Sequence, residues 1–534
     1  MIQQLSEAGF EVVALERGPE IESSRFSEDE LEVVVRDRLF SPHQLETYRA
    51  DAESPAVPGR YNATADCLGG SMTLWSGWSW RLRPDEFKVR DVEGRVDDAS
   101  LANWPIGYEE LEPWYEQAEQ DFAVAGAAGR NPFEAPRKRG YPLPPHPARR
   151  AGELFEQGAV KAGLTPFPLP VAINSKPHAG RPRCLYGGAC TGFGCEVHAK
   201  STSLAVCLPR ARKTKKLDLR TDAEVFEIVV GSDGRAKGAR YFDAEGATHE
   251  VLARQVVVAC NAVGSARLLL LSTSKRFPDG LANSSGLVGR NLMLHHSALV
   301  RCLVDGPTRA VTGIEATRAV DDWHPSDDGR GFIRGGVVAE VSAFTRQPIV
   351  YALTEPSRRG GAPRWGHKFK RYLRDFPRTM VIGSVLEDLP VESNRIDLDP
   401  GVKDRFDLPV PRITRRQHAN DIAMNRWFRA RLLELAASCG GRDATSFEMP
   451  GVAYVDENDA VKGSAHLMGT CRMGEHAQFS VLDRWCRAHD VPNLWVVDGS
   501  CFPTSAGYNP TLTILANAYR VANRLIVEAR RMNL

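Results

Sequence analysis

Leu494-Trp-Val-Val-Asp-Gly-Ser-Cys-Phe-Pro503, followed by Asn509-Pro-Thr-Leu-Thr-Ile-Leu-Ala-Asn517, reads as a strand, a tight turn, a loop and a helix. The apolar run 494–497 suits a parallel strand buried on both faces, and Asp498-Gly499 marks its end. Asn509 fits the N-cap of the helix, and Pro510 its first position, where a missing N–H costs nothing. Leu512, Leu515, Ala516, Tyr519, Ala522 and Ile526 continue at helical spacing. A helix start attracts negative charge through its free N–H groups and macrodipole. Upstream lies Ser464-Ala-His-Leu-Met-Gly-Thr-Cys-Arg-Met-Gly474, in which His466 is either a core histidine of a Gly/Met-rich turn or a base.

The start of the chain has the same grammar. Residues 1–8 read as an amphipathic helix, Gly9 as its C′ glycine and residues 10–16 as a strand that Arg17-Gly18-Pro19 breaks. A helix, a glycine and a strand ending in an acidic residue form the second half of a dinucleotide-binding βαβ unit. Glu16 is then the candidate for the ribose hydroxyls; the alternative is a solvent-facing carboxylate at a strand end. The Gly-rich turn of such a unit precedes its acidic residue by about 20 positions. That places it before Met1, so the expectation is a truncated or mis-set start.

With 534 residues, two or more domains are expected. Net charge is +1, from 68 basic and 67 acidic residues, and the longest basic block is Arg210-Ala-Arg-Lys-Thr-Lys-Lys216. This argues against nucleic acid as the main partner. No run of about 18 apolar residues predicts a membrane span, and the first residues lack the basic and apolar regions of a signal peptide. Eleven cysteines, odd in number and unevenly spaced, do not form a disulfide framework, so a reducing, cytoplasmic location is expected.

In the middle, Asp66-Cys-Leu-Gly-Gly-Ser-Met-Thr-Leu-Trp-Ser-Gly-Trp-Ser-Trp-Arg81 joins two glycines to tryptophans at 75, 78 and 80. Glycine permits close backbone approach to a ligand, and the rings suit a flat one; the other reading is a turn into a tryptophan-rich core. Asn103-Trp-Pro-Ile-Gly-Tyr108 precedes a helix with an acidic first turn, and the Pro/Arg-rich residues 131–183 read as an irregular domain crossing. Residues 20–60 read as helix and loop. Cys184, Cys190 and Cys195 could hold an iron–sulfur cluster, but their spacing matches no derived ligand pattern. A tight loop with small buried thiols is favoured. Residues 217–230 and 251–260 read as strands, the second leading to a helix at Ala266, and 420–439 as a helix stopped by Gly440-Gly441.

These motifs in this order resemble the glucose–methanol–choline (GMC) oxidoreductases, flavoproteins that oxidise alcohols. The motifs are Leu15-Glu-Arg-Gly18, Gly69-Gly-Ser with Trp75, residues 256–266, His466-Leu-Met-Gly-Thr-Cys-Arg-Met-Gly474, and Val497-Asp-Gly-Ser with Pro503 and Asn509-Pro-Thr-Leu-Thr513. The likeness extends over nearly the whole chain, toward the branch of pyranose oxidases and gluconate-type dehydrogenases. It implies an α/β fold: a Rossmann-like FAD-binding domain from 1–90, 184–300 and 462–534, lacking its first strand and GxGxxG loop, and a second, α+β substrate-binding domain from 91–183 and 301–461. It implies FAD as cofactor, with Glu16 on the ribose and Gly69, Gly70, Ser71, Trp75 and Val225 beside it. Asp498 and Gly499 approach the pyrophosphate and ribityl chain, and Asn509, Pro510 and Thr511 the flavin ring. His466 and Asn509 are the catalytic pair, acting on a sugar, polyol or other alcohol. Leu74 stands where some pyranose oxidases carry a flavin-linking histidine, which implies non-covalent FAD. Oxygen, a quinone or a cytochrome all remain open as electron acceptor. Two other readings stand beside this one: a truncated, FAD-free inactive protein, and the large subunit of a membrane-linked electron-transferring dehydrogenase.

Overall fold

The computed structural model describes residues 1–35, 44–62, 64–310, 313–342, 348–349, 352, 365–447 and 464–531. Helix Ile2–Glu7 ends as its glycine requires. Gly9 sits at φ 95, its N–H bonds to the Ser6 carbonyl, and the Phe10 N–H bonds to the Leu5 carbonyl, each at 3.1 Å. This double bond is a Schellman stop. It turns the chain into strand Val12–Leu15, which runs parallel to Leu217–Arg220. A second parallel pair joins Leu494–Val496 to Val256–Val258. All three residues of Leu494–Val496 are buried, which accounts for a run without polar alternation. The two parallel pairs share no hydrogen-bonded edge among the described residues.

Several boundaries differ from the sequence reading. The apolar stretch 217–230 is two strands, Leu217–Arg220 and Glu224–Val230, separated at Asp222, whose φ is 53 and whose N–H bonds to the Gly18 carbonyl. The stretch 251–260 is divided likewise. Thr248–Leu252 closes an antiparallel meander with Ala236–Phe242 and Glu224–Val230, and Val256–Val258 joins the parallel pair. The following helix runs Asn261–Leu271, beginning ahead of Ala266 because Asn261 Oδ1 accepts from the N–H groups of Val263 and Gly264. Helix Arg150–Lys161 lies inside the segment expected to be irregular.

The largest sheet has the order Arg442–Ser446, Leu299–Leu303, Thr379–Leu386, Gly336–Glu340, Arg318–Val320, Phe167–Pro168, with antiparallel neighbours. Both faces of its inner strands are buried, while the edge strand Arg442–Ser446 is mostly exposed. Val300, Cys302, Val338, Met380 and Ile382 pack under helices Arg150–Lys161 and Ala419–Ser438, against Phe155, Met424, Phe428 and Leu432. Leu299, Val337, Ala339 and Val381 face the main core, which contains Trp80, Tyr508 and Leu512. This is the period-two alternation of a strand with an apolar contact on each side. A four-stranded sheet pairs Arg395–Lys403 and Pro409–Thr414 with Glu46–Arg49 and Val57–Gly59, so residues 20–60 do contribute strands. Helix Tyr108–Asp121 lies against Thr511–Arg531 through Tyr115 Oη to Thr513 Oγ1 (2.8 Å), Tyr519 Oη to Asp121 (2.7 Å) and Arg520 to Glu110 (2.8 Å). No described helix is long and apolar enough to cross a membrane.

Candidate active site

Two chain segments bring the histidines together. The segment after His466 lies along the turn after Asp498: Gly469 N–H bonds to the Gly499 carbonyl (3.1 Å), Cys471 to Ser500 (2.8 Å) and Met473 to Cys501 (2.9 Å). On its other side Met468 and Met293 exchange backbone hydrogen bonds of 3.0 and 3.1 Å as an antiparallel bridge. His466 and His295 lie two residues out from that bridge in opposite chain directions. Their Nδ1 atoms are 3.0 Å apart.

The helix that carries the other partner starts at Thr511, after Pro510. The expectation that Asn509 caps it with its side chain is corrected. Asn509 Oδ1 accepts from Trp80 Nε1 at 3.1 Å, and its Nδ2 stands 3.1 Å from His466 Nε2. Tertiary partners thus take the side chain from the helix terminus. Trp80 is held in turn by stacking on Tyr508, centroids 5.4 Å apart. His295 Nε2 lies 3.1 Å from the Ser505 carbonyl. His466 is half-buried and keeps an open face, whereas His295 is buried. Burial, with His295 adding to it, pushes His466 down to about 3, so it is neutral at pH 7 and able to accept a proton. Burial pushes His295 down to about 4.

The residues expected at the cofactor fall into two connected groups. Glu16 ends strand Val12–Leu15, half-buried, with Oε1 accepting from Gly18 N–H at 2.9 Å, and burial raises it to about 7. Its backbone carbonyl takes the Ala223 N–H at 2.8 Å, which brings Val225 close behind. The Gly69-Gly70-Ser71 loop packs on the same turn: Leu68 N–H bonds to the Pro19 carbonyl, and a Cβ on Gly18 would meet the Asp66 carbonyl at 2.0 Å. Gly70, at φ 57, has open space where a Cβ would be. In the second group, buried Asp498 accepts from Ser265 Oγ at 2.5 Å and Ser500 N–H at 2.8 Å, beside Gly499. The start of the last helix leaves Asn509, Thr511, Ile514 and Leu515 half-exposed along one stripe. A strand-end carboxylate, a glycine turn with open space and a helix start whose neighbouring Asn509 side chain is engaged elsewhere suit the ribose and flavin ends of an adenine dinucleotide, so these residues fit FAD. Trp75 spends its indole N–H on the Ser201 carbonyl at 3.0 Å, and it is Trp80 that touches Asn509.

The cysteine loop is organised differently. Buried Lys200 donates to the carbonyls of Trp75 (3.0 Å), Cys190 (2.9 Å) and Phe193 (2.8 Å), closing the loop around an ammonium group. Cys184, Cys190 and Cys195 do not belong to the one described group of three metal-capable side chains whose ligand atoms converge within 4.8 Å, which is His296, Asp388 and Asp421.

Sequence comparison agrees with this architecture. The GMC oxidoreductase description matches residues 97–297 and 390–518. The chain is 32% identical to the 2-methyl-1,2-propanediol dehydrogenase of Mycolicibacterium austroafricanum, over 97% of this chain and 91% of that one. It is 34% identical to the paromamine 6'-oxidase of Streptomyces fradiae (86% and 78%), and 29% identical to the gluconate 2-dehydrogenase flavoprotein of Pantoea cypripedii (97% and 90%). Among solved structures, formate oxidase of Aspergillus oryzae RIB40 superposes with a TM-score of 0.66 at 14% identity (100% and 96% covered), and pyridoxine 4-oxidase of Mesorbium loti with 0.61 at 19% (98% and 96%). The chain belongs to the GMC oxidoreductase family and is an FAD-dependent enzyme that oxidises the CH–OH groups of alcohols and sugars.

Proposed function

We propose that His466 is the base and Asn509 the oxygen-holding partner in the oxidation of a polyhydroxylated substrate, a sugar, sugar acid or polyol. The observation that carries this is the 3.1 Å contact between Asn509 Nδ2 and His466 Nε2 at the start of the last helix. His466 Nε2 takes the hydroxyl proton as the carbon becomes a carbonyl. The Nε2 lone pair serves either Asn509 or the substrate, so the entering hydroxyl displaces the Asn509 contact at Nε2 and the Asn509 amide donates to the hydroxyl oxygen instead. FAD, when bound, supplies the acceptor for the hydride that leaves the carbon. The free N–H groups at the helix start favour negative charge gathering there. Glu16, with Val225 behind it, holds the ribose; Gly69, Gly70, Ser71 and Trp75 line the cofactor; Asp498 and Gly499 approach its pyrophosphate and ribityl chain; Pro510 and Thr511 face its ring. The FAD-binding part is assigned to 1–90, 184–300 and 462–534, and the substrate-binding part to 91–183 and 301–461. The names of the relatives, a diol dehydrogenase, a gluconate dehydrogenase and a paromamine oxidase, support the substrate class.

The test is anaerobic bleaching of the flavin absorbance against a panel of polyols, sugars and sugar acids, followed by reoxidation with oxygen or a quinone. His466→Ala is expected to lower turnover at least about 100-fold with the flavin spectrum retained. Near-normal turnover removes His466 from the mechanism. A colourless protein returns the reading to an FAD-free chain, and bound iron returns it to an electron-transferring subunit.

A further inference from the structure

We infer that His295 is a positioning residue that fixes the proton of His466 on Nδ1 and so leaves on Nε2 the lone pair that faces Asn509 and takes the hydroxyl proton when substrate displaces that contact. The inference rests on the reading of His466 as the base. It follows from a run of four hydrogen bonds whose two ends have unambiguous roles. At one end the Trp80 indole N–H can only donate, so the atom facing it at 3.1 Å is Asn509 Oδ1. The Asn509 amide N–H₂ then faces His466 Nε2, which must accept. At the other end the Ser505 carbonyl can only accept, so His295 Nε2 carries a proton. His295 Nδ1 is then the acceptor, and His466 Nδ1, 3.0 Å away, must donate. Reasoned from opposite ends, the same tautomer results. The other tautomer sets donor against donor at Asn509 and acceptor against acceptor at His295. Ordinarily amide orientation and imidazole tautomer are assignments, but here an indole and a backbone carbonyl fix both.

The backbone around His295 bears a second, independent mark. His295 has φ 56 and Ala506, next to the accepting carbonyl, φ 69, both in the left-handed region that non-glycine residues rarely adopt. Such conformations persist where surrounding structure over-determines them, and they gather at functional sites. The over-determination is visible. The neighbouring His296 ring is clamped by Asp388 Oδ1 (3.1 Å), Asp421 Oδ2 (3.5 Å) and Gln417 Nε2 (2.7 Å), with Arg415 on Asp388 at 2.6 Å. This knot lies fully inside the protein, and its carboxylates are already met by the guanidinium and the imidazole. It pins one ring so that the other can be aimed. Ser505 is fixed from the same side, since Asp388 N–H bonds to Ser505 Oγ at 3.0 Å and Ala506 N–H to Glu387 at 2.9 Å.

The experiment uses the flavin-loaded enzyme with ¹⁵N-labelled histidine. Long-range ¹H–¹⁵N correlation is expected to give His466 a pyrrole-type Nδ1 and a pyridine-type Nε2; the reverse pattern overturns the proposal. His295→Leu removes the acceptor. It is expected to lower kcat about 10- to 100-fold, in the range for residues that orient a catalytic imidazole, with KM within about 3-fold and the flavin spectrum kept. His295→Gln offers an amide oxygen to His466 and an N–H to Ser505, and is expected to recover most of the lost kcat and the Nδ1–H signature. A His295→Leu enzyme with wild-type kcat, or a Gln variant no better than Leu, overturns the proposal. If His466→Ala keeps its turnover while wild-type His466 carries Nδ1–H, the base reading fails and the tautomer assignment stands.

Discussion

Trp80 decides which way the Asn509 amide points, from 429 residues away. Replacing it with Phe keeps a ring against Tyr508 but deletes the one donor to Oδ1 among the described residues. The amide is then oriented by His466 Nε2 alone, and the orientation that presents oxygen to Nε2 gains population. Losing one neutral hydrogen bond of about 1 kcal/mol predicts a fall in kcat of about 3- to 10-fold, larger than any change in KM, read by steady-state kinetics. The acid limb offers a second check on the pair. Because burial pushes His466 down to about 3, its neutral form persists well below the ordinary 6.5. The base-controlled part of kcat/KM is therefore expected to stay flat from pH 7 to pH 5; an inflection near 6.5 would show an exposed, ordinary histidine. His466 and Asn509 were legible as a proposed pair through the family resemblance and the Asn-Pro helix start; the Gly/Met-rich turn alone reads as well for a core histidine. Trp80 was legible only as one of three tryptophans suited to a flat ligand, and His295 and Ser505 were not legible as site residues. Their roles arise from contacts across 429, 171 and 210 residues, and a positive φ at a histidine leaves no trace in composition.

At the scale of elements, the Asp498-Gly499 turn locks the two halves of the site. The segment from Gly469 to Met473 bonds to Gly499, Ser500 and Cys501 in sequence, and the helix bearing Asn509 follows the same turn. A methyl group on Gly499 would meet the Leu467 carbonyl at 2.4 Å, next to His466. Gly499→Ala must therefore push the His466 segment from the turn. The expected result is a loss of about 1–3 kcal/mol in unfolding free energy, typical of overpacking, together with reduced turnover. Denaturant unfolding and kcat check it, and an unchanged pair of values would mean that the segments are not locked. The same scale explains which elements could be read. Helices Ile2–Glu7 and Ala419–Ser438 and strand Leu494–Val496 announced themselves by a stopping glycine or an unbroken apolar run. Strand Glu46–Arg49 did not, because its buried Glu46 is satisfied by Asn62 Nδ2 at 2.8 Å and the Tyr61 N–H at 3.1 Å, pairings that only the folded chain creates. The Asn509 cap was misread for the same reason in reverse: a good local signal lost to Trp80 and His466.

Across the whole molecule, the buried ionisable groups around the site pull stability in opposite directions with pH. Glu387 lies between the large sheet and the loop before Asn509, accepting from Ser505 Oγ and Ala506 N–H, and burial raises it to about 7. Folded, it keeps a proton that the unfolded chain releases above its ordinary 4.5. Its share of stability is thus fully present below about 4.5 and is lost as pH rises through about 7. His466 has the opposite sign. Between about 3 and 6.5 the unfolded chain binds a proton that the folded site refuses, so its presence lowers stability as pH falls through that window. Each group changes the slope by at most about 1.4 kcal/mol per pH unit. Glu387→Gln keeps an acceptor for Ser505 while removing the titration, and His466→Asn removes the other. From pH 4.5 to 6.5 the stability of Glu387→Gln relative to wild type is expected to rise with pH, and that of His466→Asn to fall. Unfolding midpoints of the three proteins across this range test it, and slopes of the same sign would mean that one of the two groups is solvated in the folded protein. The two opposing groups meet in one loop, residues 505–509, reached by Glu387 at Ser505 and by His466 at Asn509. That loop is therefore where these two opposing titrations meet.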